Sequence, residues 1–288
     1  MNQQVPLHPA AQPHCPQCDG LGILVVRDGE RAIAQKCTCV GMCPQCRDTT
    51  WVPTSTALRA PRRRCQCHEL VRRMGLFDRA NIPARHARST RATFRPADAR
   101  QTATLIGVSQ WLDHYQPGED NHGMVLYGGV GRGKTHLVVA MLRELVFRYG
   151  VSVRFVEFSH LLADLKAGFD HGLGSSRLID PLVAVDVLAI DELGKGRNTE
   201  FEGTVLDELV SRRYNAAATI IATTNFSPNP SPGRAGSNPA AVAVGKSLPA
   251  TLPDRVGARV FSRLEEMCDF IEIQGPDHRS QRRTQRRR

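Results

Sequence analysis

Gly128-Gly129-Val130-Gly131-Arg132-Gly133-Lys134-Thr135 restricts the fold more tightly than any other stretch of this chain. The spacing G-x-x-x-x-G-K-T lets a backbone wrap an anion so that several amides point inward, and such a loop joins the end of a strand to the start of a helix. Met124 to Tyr127 is a short apolar run with strand character, and Thr135 to Arg148 is an apolar segment with few breakers that suits a buried helix. A phosphate-binding P-loop is therefore expected, with ATP as its ligand. Gly128, Gly129, Val130, Gly131, Arg132 and Gly133 form its cradle, and Lys134 reaches the β- and γ-oxygens. Thr135 holds Mg²⁺ through its hydroxyl, and His136 follows in the first helical turn, where the positive end of the helix favours phosphate.

A second apolar run, Val187 to Ile190, ends in Asp191 and Glu192. Adjacent acids at a strand end are often merely solvated, but after a P-loop they have a chemical use. Asp191 is expected to orient the Mg²⁺ shell and Glu192 to polarise the attacking water. A third run, Thr219 to Thr224, ends in Asn225, whose amide is placed to bond the γ-phosphate or the lytic water. These three features together predict an α/β fold of the P-loop NTPase class: alternating strands and helices, a mostly parallel sheet, and ligands at its carboxyl edge.

The other strong signal is cysteine. Eight of the nine lie between Cys15 and Cys67 as a tandem repeat of C-x2-C-x18-C-x-C: Cys15, Cys18, Cys37 and Cys39, then Cys43, Cys46, Cys65 and Cys67. Four thiolates match the corners of a tetrahedral structural Zn²⁺ site and leave no open position for catalysis, so two zinc ions are expected. Disulfides would need an oxidising compartment, which a cytoplasmic ATPase does not offer. His14 and His68 adjoin ligands but are surplus to filled tetrads, and Cys268 reads as a buried structural thiol.

The formal net charge of +10 on 288 residues favours a polyanionic partner. Its arginines cluster at Arg62 to Arg64, along Arg72 to Arg100, and from Arg282 to Arg288. No apolar run is long enough to span a bilayer, and residues 1–14 lack a signal-peptide core, so a soluble cytoplasmic protein with no membrane partner is expected. The expected organisation is an unstructured lead (1–13), a cysteine-rich module (14–68), a basic helix and linker (69–101), an ATPase core (102–279) and a basic tail (280–288). Within the core, His160 to Phe169 reads as an extra amphipathic helix and a candidate DNA-facing element. The Pro/Gly/Ser/Ala-rich stretch 227–252 reads as a mobile loop.

The core from about Phe77 to Arg279 resembles the AAA+ ATPases of the DnaC/DnaI helicase-loader group and the related IstB-type transposition helpers. Its marks are Leu76-Phe77-Asp78-Arg79-Ala80-Asn81-Ile82-Pro83-Ala84-Arg85, Ile190-Asp191-Glu192-Leu193-Gly194, Ser211-Arg212-Arg213-Tyr214-Asn215, Arg255 to Leu264, and Gly275-Pro276-Asp277-His278-Arg279. The resemblance implies that Arg259 or Arg263 is an arginine finger reaching a neighbouring subunit's γ-phosphate, with Arg279 a sensor for the subunit's own nucleotide. Arg255 reads as a solvated helix face. Cys18-Asp19-Gly20-Leu21-Gly22 is similar to the C-x-G-x-G element of DnaJ-type zinc modules. In those modules sites are shared crosswise, which would pair Cys15 and Cys18 with Cys65 and Cys67, as against one ion per repeat. The implied function is a replicative-helicase loader that self-associates on ATP and binds single-stranded DNA, its zinc module gripping the helicase. A transposition or phage-replication helper is the second reading, and a zinc-containing chaperone or adaptor with a nucleotide switch the third.

Overall fold

The computed structural model describes residues 7–57, 59–197, 199–229 and 250–278. The chain forms two compact units, one of residues 1–89 with 143–153 and one of 90–142 with 154–288. No helix among the described residues is long and apolar enough to cross a membrane.

In the first unit each cysteine repeat folds as a knuckle followed by a hairpin. Strands β1 (Ile23–Asp28) and β2 (Arg31–Lys36) pair antiparallel, as do β3 (Trp51–Pro53) and β4 (Arg62–Arg64). Helix α1 (His68–Arg79) follows. The first hairpin is tied into the unit through its backbone: Asp78 of α1 accepts from the Ala34 amide at 2.8 Å, and Ile82 O accepts from Ala32 at 2.8 Å. Segment 143–153 includes a π-helical turn, Leu145–Tyr149. Phe77 stacks on Phe147 at 5.0 Å, while Arg72 donates to Gly150 O and Arg73 to Phe147 O and Arg148 O. These two arginines satisfy carbonyls that a helix end leaves unpaired, so part of the basic stretch expected to face a polyanion serves the fold.

One expectation changes here. The lead segment is ordered from Leu7 on: Leu7, His8 and Ala11 are buried, the Cys15 amide donates to Gln12 O, and a Cβ on Gly20 would meet Pro13 O at 2.4 Å. Packing against the first knuckle replaces the disorder expected from composition. In the basic stretch 69–101 the helix is α1, which belongs to the first unit, and the second unit begins at Thr90.

The second unit is the α/β body. Its elements are α2 (Ala99–His114), β5 (Gly123–Tyr127), α3 (Lys134–Glu144), β6 (Val153–Glu157), α4 (Phe158–Asp170), α5 (Ser175–Val183), β7 (Val187–Asp191), α6 (Glu200–Asn215), β8 (Thr219–Thr224), α7 (Leu252–Val256), α8 (Ala258–Met267) and β9 (Cys268–Glu272). The last residues of α3 and the first of β6 are counted with the first unit. The sheet order is β6-β7-β8-β5-β9, and β5 with β8, β5 with β9 and β7 with β8 all run parallel. Val187 to Asp191 and Thr219 to Thr224 are buried throughout, which is why they read as unbroken apolar or β-branched runs rather than alternating ones. The apolar side of α4 (Phe158, Leu161, Leu162, Leu165) packs into the core with Leu206 and Leu209 of α6. Of stretch 227–252, residues 230–249 lie outside the described residues, and its two ends meet where the Leu252 amide donates to Ser227 O at 2.8 Å. The basic tail also lies outside them.

Candidate functional site

The loop Gly128 to Gly133 leaves the carboxyl end of β5, a strand with β8 on one side and β9 on the other. Sequence order reverses there, and open parallel sheets take their ligands at such a point. Gly131 lies at φ +76° and Gly133 at φ +93°. A Cβ at Gly131 would stand 1.8 Å from Asp277 Oδ1, and one at Gly133 would stand 2.6 Å from the Phe94 ring. Any side chain at either glycine would spoil both the turn and its packing. The chain after β9 braces the loop: Arg132 donates to Ile273 O at 3.1 Å, and the His278 amide donates to Gly131 O at 3.0 Å. Val130 is exposed at the tip.

Lys134 is buried, and its ammonium donates to Gly128 O and Gly129 O at 2.8 Å and to Asn225 Oδ1 at 2.7 Å. An ammonium amid three oxygen acceptors sits in the donor–acceptor environment that phosphate oxygens supply. Thr135 donates to both oxygens of Asp191, at 2.9 and 3.2 Å. Thr223 adds a hydroxyl to Asp191 Oδ1 at 2.6 Å and accepts from the Glu192 amide at 3.0 Å. Asp191 is 8% exposed, and burial raises its pKa against the opposing pull of the Thr223 and Thr135 hydroxyls. A buried carboxylate beside a threonine hydroxyl fits a hard divalent cation, which would repay the cost of its desolvation. Glu192 takes a left-handed backbone at φ +57°, a conformation that costs energy in a non-glycine residue, and its carboxylate pairs with Lys195.

Lys134, Thr135, Asp191, Glu192 and Asn225 thus meet at the carboxyl ends of β5, β7 and β8. Arg259 and Arg263 are not brought there. Both stand on α8 and pair with Asp207 of α6, at 3.5 and 2.9 Å. Arg279 lies outside the described residues. The His136 side chain turns to Thr90 O at 2.9 Å and to the Phe94 ring, bracing the first turn of α3. The solvated reading of Arg255 is corrected: it is half-buried, donates to Gly194 O at 2.9 Å and to Gly196 O, and lies over the Phe226 ring. The loop that follows the acid pair is therefore held by a cation. Thr223, Phe94 and Lys195 are the neighbours the sequence did not single out. Thr223 alone carried a signal, as a buried hydroxyl close to the strand end that leads to Asn225.

In the first unit the cysteines form two clusters, Cys15, Cys18, Cys37 and Cys39, and Cys43, Cys46, Cys65 and Cys67, with the sulfurs of each within 4.8 Å of one another. The sulfurs thus group one cluster per repeat, as the spacing of the repeat favours, and not in the crossed pairing, because each hairpin returns its C-x-C to its own C-x2-C. Sulfur–sulfur approaches include 3.8 Å (Cys15–Cys37), 3.5 Å (Cys18–Cys39), 3.7 Å (Cys43–Cys65) and 3.3 Å (Cys46–Cys67). A tetrahedral zinc with its usual sulfur bond length sets sulfurs about 3.8 Å apart, so four such donors fit that ion. Backbone amides of Gln17 and Cys18 pull the Cys15 thiol down to about 7, while burial pushes the Cys18 thiol of the same cluster up to about 12. Neither His14 nor His68 joins a cluster. Cys268 is buried in the second unit, where burial raises its pKa, in keeping with a structural thiol.

With the geometry in place, comparison with known proteins decides the family. Residues 72–229 match the model described as IstB-like ATP binding protein. The chain belongs to the IstB-like ATP-binding family. Among curated relatives, the replicative helicase loader DnaC of Escherichia coli K12 is 27% identical over 142 residues, 49% of this chain and 56% of the relative. A putative ATP-binding protein in an insertion sequence of Mycobacterium tuberculosis H37Rv is 32% identical over 148 residues, 48% of this chain and 55% of that protein. The chain therefore spans little more than half the length of these curated relatives. A crystal structure of the DnaC helicase loader superposes with TM-score 0.54 at 25% identity, covering 66% of this chain and 99% of that one. AMPPCP-bound DnaA from Aquifex aeolicus, at TM-score 0.50 and 18% identity over 69% of this chain and 54% of its own, shares the fold. This IstB-like chain has the P-loop AAA+ architecture, with the two cysteine clusters, each able to hold zinc, added at its N-terminal end.

Proposed function

We propose that this chain is an ATPase that loads a replicative helicase onto single-stranded DNA. The observation that carries the reading is the meeting of Lys134, Thr135, Asp191, Glu192 and Asn225 at one sheet edge. Likeness to DnaC-type loaders supplies the biological direction. In this reading Lys134 binds the β- and γ-phosphate oxygens, and Asn225, now bonded to Lys134, turns to the γ-phosphate or the attacking water. Thr135 and Asp191 would hold Mg²⁺, which would supply positive charge against the phosphate oxygens. Glu192 takes the proton of the attacking water. Arg259 or Arg263 acts on the nucleotide of an adjacent copy, so ATP binding assembles subunits head to tail. Arg279 is the sensor for the subunit's own nucleotide. The zinc module grips the helicase, basic surfaces follow the DNA, and hydrolysis releases or remodels the complex. All of this takes place in the cytoplasm.

The test is affinity capture under ATP with Glu192→Gln, which keeps the phosphate cradle and removes the base. We expect ATP binding to persist, turnover to fall by about 100-fold or more, and a hexameric helicase to be retained. Unchanged hydrolysis would remove Glu192 from its role. A second reading, a transposition helper acting on double-stranded DNA, has its own support in the family description and the insertion-sequence relative. Retention of a transposase with no helicase would favour it.

A further inference from the structure

The two cysteine repeats share one framework but differ in charge and surroundings. Between Cys15 and Cys39 three basic residues balance three acidic ones, whereas between Cys43 and Cys67 five arginines (47, 59, 62, 63, 64) face the single acid Asp48. That acid is turned to the knuckle, accepting from the Cys43 amide at 2.8 Å. All five arginines are exposed. The first hairpin is occupied by its bonds to Asp78 and Ile82. In the second, register pairs Trp51 with Arg64 and Pro53 with Arg62, while Val52 between them is buried. Successive strand residues alternate faces, so Trp51, Pro53, Arg62 and Arg64 share the outer one. Trp51 is 39% exposed, with the Arg64 guanidinium 4.0 Å from its ring centroid. Among the described residues, neither Arg62 nor Arg63 has a carboxylate partner.

We propose that this β3–β4 face, an exposed indole framed by Arg62 and Arg64 on the second repeat, is a contact for single-stranded DNA. The inference rests on the loader reading for the identity of the polyanion and adds the place where it is held. Arginines spaced along a ribbon match a phosphate backbone, and an indole in contact with solvent takes an unpaired base, which a duplex would keep stacked. The first repeat, neutral and engaged with α1, has neither part. The division of labour is thus between repeats: the first builds the unit and the second reads the strand.

The experiment uses the full chain with zinc bound. Fluorescence anisotropy with labelled oligo(dT) is measured against salt for the wild type, Trp51→Ala and Arg62→Ala/Arg64→Ala. Trp51→Ala should weaken binding roughly tenfold through lost stacking. The double arginine change should reduce the salt slope by about 1.4, two phosphate contacts on a single strand. Trp111→Phe leaves Trp51 as the one remaining tryptophan. In that variant, whose hairpin is intact, oligo(dT) should quench the emission, so the conclusion does not depend on the hairpin variants folding. Unchanged affinity and slope, with no quenching, would overturn the inference while leaving DNA binding by the wild type intact. No oligo(dT) binding by the wild type in any nucleotide state would overturn both this contact and the DNA half of the loader reading. Tighter binding of oligo(U), or quenching by phosphatidylserine vesicles and not by oligo(dT), would reassign the face.

Discussion

Asp191 is the residue on which the energetics of the nucleotide site turn. Burial holds its pKa above the ordinary carboxylate range, with the hydroxyls of Thr223 and Thr135 opposing. A group raised in this way adds stability below its unfolded pKa and loses that contribution as pH rises through its folded pKa. Asp191→Asn keeps an oxygen for both hydroxyls and removes the charge. Without nucleotide, melting temperatures of the two proteins should agree in acid and separate as pH approaches neutrality, the variant melting a few degrees higher. The stabilisation that Mg²⁺ and ATP together give the wild type should be lost in the variant. Equal or lower melting of Asp191→Asn at neutral pH would mean that the carboxylate is not a strained one. That Lys134, Thr135 and Asp191 would come together was legible in the sequence because local spacing places them at neighbouring strand ends. Arg255 and Lys195 were not, since an arginine on a helix and a lysine in a loop read as solvated until the fold supplies Gly194 O, Gly196 O and Glu192.

Elements are held in order by Arg213, near the end of α6. It is fully buried and donates to the carbonyls of Leu182, Val183, Val185, Asp186 and Thr219, between 2.7 and 3.3 Å. One guanidinium thereby joins the end of α5, the approach to β7 and the start of β8, which carry Asp191 and lead to Asn225. Burial lowers its pKa to about 10, so it stays charged at neutral pH. Lysine's three rotating donors cannot serve five fixed carbonyls, and Arg213→Lys should cost about 2–4 kcal/mol in a denaturant titration. A loss under about 0.5 kcal/mol would show that the carbonyls find other partners. The strands themselves were readable, because a strand buried on both faces must be an apolar run. The hairpins of the cysteine repeats were not, since their strands are short and the thiols set their return. The order at Leu7 to Ala11 was hidden for a similar reason, because what buries that segment is the first knuckle.

At the scale of the whole molecule, the family assignment and the site geometry make a specific demand. The phosphate loop, the acid pair and Asn225 are assembled within one copy, whereas Arg259 and Arg263 are engaged with Asp207 on α6. If either arginine serves hydrolysis as proposed, it does so for another copy, and one chain carries two half-sites. Lys134→Ala removes the first half and keeps the second, while Arg259→Ala/Arg263→Ala does the reverse. Each variant alone should be nearly inactive in a steady-state ATPase assay. Mixed in equal amounts, they should recover roughly a quarter of wild-type turnover, because about one head-to-tail interface in four then joins an intact loop to an intact arginine. Activity in the mixture no greater than the sum of the two variants measured separately would contradict a site shared between copies.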